Sequence, residues 1–134
     1  MEVIRRNADY AFRLMANIAI NYGKGPVSVR KLVELSNVPY QLACKLLQKL
    51  AVEGLLDSTM GAKGGYSLAK QPCEISFKDI IEAIQGPVCL NLCLSGEFFC
   101  PLKDKCPVSG HLAELQKEMD DHLAAKTLDV LTKG

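Results

Sequence analysis

A mainly helical chain carrying one small β-hairpin is what this sequence predicts, and three observations lead there. Apolar residues recur at three- and four-residue steps through the first 53 positions, a glycine-rich turn around residue 63 divides two short runs of strand character, and helical spacing returns after residue 108. The elements between these landmarks follow from local chemistry.

From Asn7 to Tyr22 the residues Ala8, Ala11, Phe12, Met15, Ile18, Ala19 and Tyr22 lie on one helical face, with Asn7 placed to cap the start and Gly23 to end it. After Gly23-Lys24-Gly25-Pro26, Ser28 can cap a second helix through Leu35, whose apolar contacts are Val29, Leu32, Val33 and Leu35. The turn Ser36-Asn37-Val38-Pro39 leads into a third helix from Pro39 or Tyr40 to Glu53, because proline is tolerated at a helix start and Gly54 follows its end. Leu42, Ala43, Leu46, Leu47 and Leu50 face inward, which leaves Gln41, Lys45, Gln48 and Lys49 outward.

Two short helices joined so tightly, the second showing polar and basic residues, form a helix-turn-helix pattern, although an ordinary helical hairpin fits the same spacing. The next segment decides between them. Residues 55–60 read as a strand, Gly61-Ala62-Lys63-Gly64-Gly65 as a tight turn and Tyr66-Ser67-Leu68 as the returning strand, a hairpin with a basic tip. Directly after the helix-turn-helix, that hairpin makes a wing. A fourth helix over Phe77 to Gln85, capped by Ser76, turns Ile80, Ile81 and Ile84 inward and stops at Gly86-Pro87. Beyond residue 107, Val108, Leu112, Leu115, Met119 and His122 or Leu123 form a heptad-like seam on a long helix, which pairing with the same helix of a second chain would cover; packing back on its own domain is the other solution. Thr127 is placed to cap a last turn through Leu131. The expected architecture is a winged helix-turn-helix with a long C-terminal dimerisation helix.

Composition narrows the function. Nearly half of the 134 residues are apolar and the charged fraction is ordinary, which suits a folded chain of one compact domain or a small domain with an arm. The amino terminus has no uninterrupted apolar stretch, and no later segment reaches the roughly 18 apolar residues that span a bilayer, so a cytoplasmic setting without membrane contact is expected. Residues 1–72 hold ten Lys/Arg against five Asp/Glu, and residues 73–134 hold six against ten, giving +5 and −4. A basic front half suits a polyanion, since each neutralised phosphate releases counterions, though solvated surfaces show such imbalances too.

Four of the six cysteines crowd into the irregular stretch Cys89-x3-Cys93-x6-Cys100-x5-Cys106, broken by Gly96, Pro101 and Pro107. Under reducing conditions clustered thiols point to metal or redox chemistry. Structural zinc favours paired short knuckles, and the interval from Cys100 to Cys106 is wide for one; a disulfide switch needs only proximity; an iron–sulfur cluster tolerates varied spacings and fits best. Cys44 reads as an ordinary buried thiol on an apolar helix face, needing no ligand.

The segment from Cys93 to Pro107, together with Gly64-Gly65-Tyr66-Ser67-Leu68 and Ala8-Asp9-Tyr10-Ala11-Phe12-Arg13, resembles the Rrf family of winged-helix transcription regulators, of the IscR and NsrR type, and the likeness covers nearly the whole chain. The resemblance implies a homodimer on partly palindromic double-stranded promoter DNA, with an iron–sulfur cluster on three cysteines per subunit, carried here by Cys93, Cys100 and Cys106. It implies regulation, as a repressor, by redox state, nitric oxide or iron, and no enzymatic activity. One branch takes a histidine three residues after the last cysteine, where this chain has Ser109; the other takes an aspartate from the partner's first helix, and Asp9 stands at the matching place. Asp9 is therefore the expected fourth ligand, Cys89 the alternative, and three thiolates with one oxygen favour a 4Fe–4S over a 2Fe–2S cluster. As a plain first-turn carboxylate, Asp9 would also be favoured by the helix dipole. The interval from Cys93 to Cys100 is one residue longer than the resemblance leads one to expect, and His111 reads as a surface residue.

The chain then divides into 1–87, a DNA-binding winged helix, 88–107, the cluster-binding loop, and 108–134, the dimerisation helix and tail. Tyr40, Gln41, Lys45 and Gln48 are placed to face base edges, and Ser28, Lys49, Lys63 and Arg5 or Arg6 to touch phosphate. Two other readings stay open: a metal-free regulator responding through its thiols or to a ligand, and an iron–sulfur electron carrier, against which stand the absence of a dinucleotide fingerprint and of any catalytic Ser/His/Asp or Cys/His arrangement.

Overall fold

Five α-helices and one antiparallel hairpin make up the computed structural model, which describes residues 2–96, 100–102 and 105–132. Glu97, Phe98, Phe99, Lys103 and Asp104 of the cysteine-rich segment lie outside the described residues.

Helix α1 (Arg6–Ile20) buries Ala8, Ala11, Leu14, Met15, Ile18 and Ala19; of the expected face, Phe12 is half-buried, and Tyr22 lies beyond the end of the helix and is exposed. Asn7 does not cap it. The helix begins one residue earlier, with Arg5 in the cap position and no side-chain cap bond; the Arg5 N–H donates instead to Oε1 of Gln85, 2.9 Å away. Helix α2 (Val29–Ser36) starts as predicted, with the Ser28 hydroxyl accepting from the Lys31 N–H at 3.2 Å. The tight turn to α3 (Tyr40–Val52) passes through Asn37 in the left-handed region at φ 53°, a conformation asparagine tolerates better than most residues. Ala43, Leu46, Leu47 and Leu50 of α3 pack inward.

Strands β1 (Leu56–Thr59) and β2 (Gly65–Leu68) pair with Leu56 opposite Leu68 and Thr59 opposite Gly65. The hairpin is not isolated. Val27 and Tyr66 exchange backbone hydrogen bonds of 2.9 Å in both directions, so the segment entering α2 lies along β2 like a third strand. Helix α4 (Phe77–Gln85) opens with a reciprocal capping box, Ser76 Oγ accepting from the Asp79 N–H and Asp79 Oδ2 from the Ser76 N–H, each at 3.0 Å.

Helix α5 (Ser109–Ala125) runs against α4 and has no buried residue. Its Leu112, Met119 and Leu123 are half-buried, whereas Leu115, and Val108 just before the helix, are exposed. The tail behaves differently from the helix that delivers it. Thr127 forms a bridge with Ser76, the Phe77 N–H donates to the Lys126 carbonyl, the Leu128 N–H donates to Ile75, and Leu128 is fully buried in the core beside α1. The tail, grouped with the dimerisation arm on sequence grounds, thus completes the core of the winged helix. Among the described residues no helix is long and apolar enough to cross a membrane.

Candidate nucleic-acid interface and cysteine cavity

Exposure on α3 follows from its amphipathic spacing: with Ala43, Leu46, Leu47 and Leu50 committed to the core, Tyr40, Gln41, Lys45 and Gln48 remain at the surface. Tyr40, at the helix start, is 56% exposed. Lys49 has a structural bond as well. Its ammonium donates to the Ile84 carbonyl at 2.9 Å, near the end of α4, so one of its three donors ties two helices together while the side chain stays exposed. A lysine there also complements the negative end of α4.

Beside α3, the wing presents Lys63 at an exposed tip. Its two adjacent glycines serve the chain's own backbone. A Cβ on Gly64 would stand 2.1 Å from the Thr59 carbonyl oxygen, and one on Gly65, at φ 153°, would stand 2.1 Å from the Val27 carbonyl oxygen. In the structure these glycines permit the tight turn and the Val27 pairing. Tyr66 contacts α3 from the wing: burial and the neighbouring Cys44 thiol push its hydroxyl above the ordinary tyrosine range. Between wing and α2 lies an open cleft of about 360 Å³, lined by Lys63 with Asn21, Lys24, Ser28 and Lys31. Lys24 and Lys31 were missed on sequence, because Gly23-Lys24-Gly25-Pro26 reads only as a helix break and nothing local links residue 31 to residue 63.

The cysteines separate into groups. Cys93, Cys100 and Cys106 are half-buried and line one cavity of about 640 Å³, together with Ser109 and Gly110 at the start of α5. Cys89 is exposed and lines a different cavity, with Val3, Arg5 and Gln85. Two glutamine side chains frame this division. Gln85 accepts from Arg5 N–H and donates to the Val3 carbonyl, while Gln116 of α5 accepts from Leu90 N–H and donates to the Val88 carbonyl, so each grips a short extended segment by two hydrogen bonds.

Cys106 stands where a capping side chain would. Its sulfur accepts hydrogen bonds from the backbone N–H groups of Val108 and Ser109 and from the Ser109 hydroxyl, and these lower its pKa from the ordinary thiol range against a smaller opposing effect of burial. The positive end of a helix favours a thiolate in this position. Ser109, where one branch of the resembled family would carry a histidine, therefore supports the last cysteine. Asp9 does not line the cysteine cavity of its own chain; its carboxylate pairs with Arg13 at 3.0 Å on the exposed side of α1. His111 is exposed.

Among the described residues no three His, Cys, Asp or Glu side chains are grouped to hold a single metal ion. One ion draws its thiolates to within roughly 4 Å of each other, given metal–sulfur bonds of about 2.3 Å. A multi-iron cluster takes each thiolate on a different iron and spreads them wider. A shared cavity with a helix-stabilised sulfur on its wall fits the second arrangement.

A recognition-type helix, a basic wing fixed to the helix before it and a thiol-lined appendage define a protein of the winged-helix transcription-regulator class. The chain belongs to the Rrf2 family, described as iron-dependent transcriptional regulators, whose profile matches residues 4–134. It is 33% identical over 85 residues to the transcriptional regulator CymR of Bacillus subtilis, an alignment covering 63% of this chain and 62% of that relative. It is 29% identical over 125 residues to the transcriptional regulator IscR of Klebsiella pneumoniae, covering 93% of this chain and 76% of that protein. The solved structure of CymR, the global cysteine regulator of B. subtilis, superposes with a TM-score of 0.80 at 27% identity, covering 99% of this chain and 98% of that one. These relatives are transcriptional regulators.

Proposed function

We propose that this Rrf2 regulator is a cytoplasmic homodimer that represses promoters under control of an iron–sulfur cluster held by Cys93, Cys100 and Cys106. The observation that carries the reading is the single cavity these three residues share, with the N–H groups of Val108 and Ser109, at the start of α5, lowering the pKa of the Cys106 thiol. Asp9 of the partner is the fourth ligand, and Cys89, on a separate cavity, ranks below it. Three sulfur ligands and one oxygen favour 4Fe–4S. Such a cluster supplies a centre whose charge and ligation change with redox state, nitric oxide or iron supply.

On this reading residues 88–107 hold the group and α5 pairs two subunits through the side that leaves Val108 and Leu115 exposed. Tyr40, Gln41, Lys45 and Gln48 face base edges, glutamine suiting adenine and lysine guanine. Ser28 and Lys63 touch phosphate, and Lys49 keeps its structural bond. An Asp9 ligand would have to leave Arg13, and its bond would cross the dimer, joining the cysteine loop to the helix that packs on α2 and α3. A shift in the spacing of the two α3 helices needs a contact of this kind, made in one state and lost in the other.

Anaerobic purification tests the reading. Brown protein with a Mössbauer spectrum of 4Fe–4S iron, whose grip on promoter DNA changes when the colour is bleached, is the expected result; Cys106→Ala should be colourless. Asp9→Ala with unchanged spectrum and DNA affinity would remove Asp9 alone. A second reading is favoured by the likeness to CymR, the global cysteine regulator of B. subtilis: a metal-free regulator responding through its thiols. Colourless anaerobic protein whose DNA affinity changes between reduced and oxidised thiols would establish it and dismiss the cluster.

A further inference from the structure

The cleft between the wing and α2 gathers charge without compensation. Lys24 comes from the loop after α1, Lys31 from the first turn of α2 and Lys63 from the wing tip, and all three are exposed. No carboxylate lines the cleft, and among the described residues none of the three lysines forms an ion pair. Three like charges around one cleft repel one another weakly through solvent, and an anion that enters meets all three. Asn21 adds an amide at one edge, and Ser28, whose oxygen caps α2 by accepting from Lys31 N–H, keeps its hydroxyl proton available to donate.

The two walls are held at fixed distance by backbone. Val27 and Tyr66 exchange hydrogen bonds at the cleft floor, and only glycine fits at position 65, where a Cβ would overlap the Val27 carbonyl. This pairing ties the returning strand, which follows Lys63, to the segment between Lys24 and Lys31.

We infer that this cleft is a binding site for one backbone phosphate of duplex DNA, gripped jointly by Lys24, Lys31 and Lys63 and kept in register by the Val27–Gly65 approach. The inference rests on the DNA-binding reading and adds to it that loop, α2 and wing act as one clamp, not as separate contacts. A backbone phosphate is the anion that the DNA-binding reading supplies, and because it carries no sequence information any duplex serves as probe.

The test measures the binding of a fluorescent 30-base-pair duplex of arbitrary sequence by anisotropy over a series of salt concentrations. Each phosphate neutralised contributes about 0.9 to the slope of log affinity against log salt. The variant carrying Lys24→Ala, Lys31→Ala and Lys63→Ala together should lose about 0.9 per subunit, and each single change should weaken binding by less than its share of a simple product. A loss of about 1.8 or more per subunit would mean separate phosphates and overturn the shared cleft. A slope equal to wild type, and to the control Lys78→Ala on α4, would overturn the site. Gly65→Ala, with every lysine present, should flatten the slope as the triple variant does; wild-type binding by a folded Gly65→Ala protein would remove the latch. If Gly65→Ala fails to fold, the exposed lysine variants still decide. Wild-type protein that binds no duplex even at low salt would refute the DNA reading itself, an outcome distinct from all of these.

Discussion

The winged helix and the cysteine-bearing arm are built to different standards. In the first, α1, α3, α4 and the tail interlock around side chains that are sealed from solvent, among them Leu14, Met15, Leu47, Leu50, Ile80 and Leu128. In the second, α5 extends for 17 residues without burying one, and the loop before it is held by side-chain hydrogen bonds such as those of Gln116. A closed core is stable by itself, whereas an arm with exposed Val108, Leu115, Leu92 and Leu102 is completed by what it meets. The difference teaches that the exposed face of α3 and the wing are positioned by a closed core within one subunit, whereas the cysteine-bearing arm leaves apolar side chains at the surface.

Substitutions can break that contrast. Leu14→Ala and Leu128→Ala should each destabilise the protein by about 2–5 kcal/mol, read from the urea midpoint, because both side chains are fully buried. A Leu128 variant as stable as wild type would detach the tail from the core. Ser76→Ala should cost about 1 kcal/mol by the same measurement, since it removes the accepting half of the α4 capping box. Gln116→Ala should lower stability less still, by about 0.5–1 kcal/mol, for half-exposed hydrogen bonds that hold the loop. Instead, hydrogen exchange should quicken at Leu90, whose N–H would lose its acceptor; unchanged protection there would leave the loop held by something else. Leu115→Glu should move the unfolding free energy by no more than about 0.5 kcal/mol, while sedimentation shows the assembly shifting toward single subunits. Should Leu115→Glu destabilise the isolated subunit as much as Leu14→Ala does, the arm is as well packed as the core and the comparison fails.

Legibility followed the range of the interaction. The Ser28 and Ser76 caps, the stop at Gly86 and the hairpin between Leu56 and Leu68 were readable because each involves residues close along the chain. Asn7 misled for a related reason: a good capping residue near a helix start is only a local preference, and the pairing of Arg5 with Gln85, 80 residues away, set the start elsewhere. Lys49 shows the same limit. Its place on the outer arc of α3 is legible, but only the packing of α4 reveals the Ile84 carbonyl within its reach. The three cysteines were recognisable from their density, yet the sorting of Cys89 into another cavity and the seating of Cys106 on the α5 N-terminus required the fold.

By itself the order of residues determined which segments are helical, which face of each is apolar, where the turns fall and which thiols are candidates for chemistry. Hydrophobic periodicity and capping act over a few residues, so they are written locally. Tertiary structure alone decided that Val27 pairs with the wing, that Lys24, Lys31 and Lys63 share a cleft, that Leu128 closes the core and that Ser109 supports a cysteine sulfur. Each of those depends on two distant stretches meeting in space, and no local pattern records which partner the packing of the whole chain will supply.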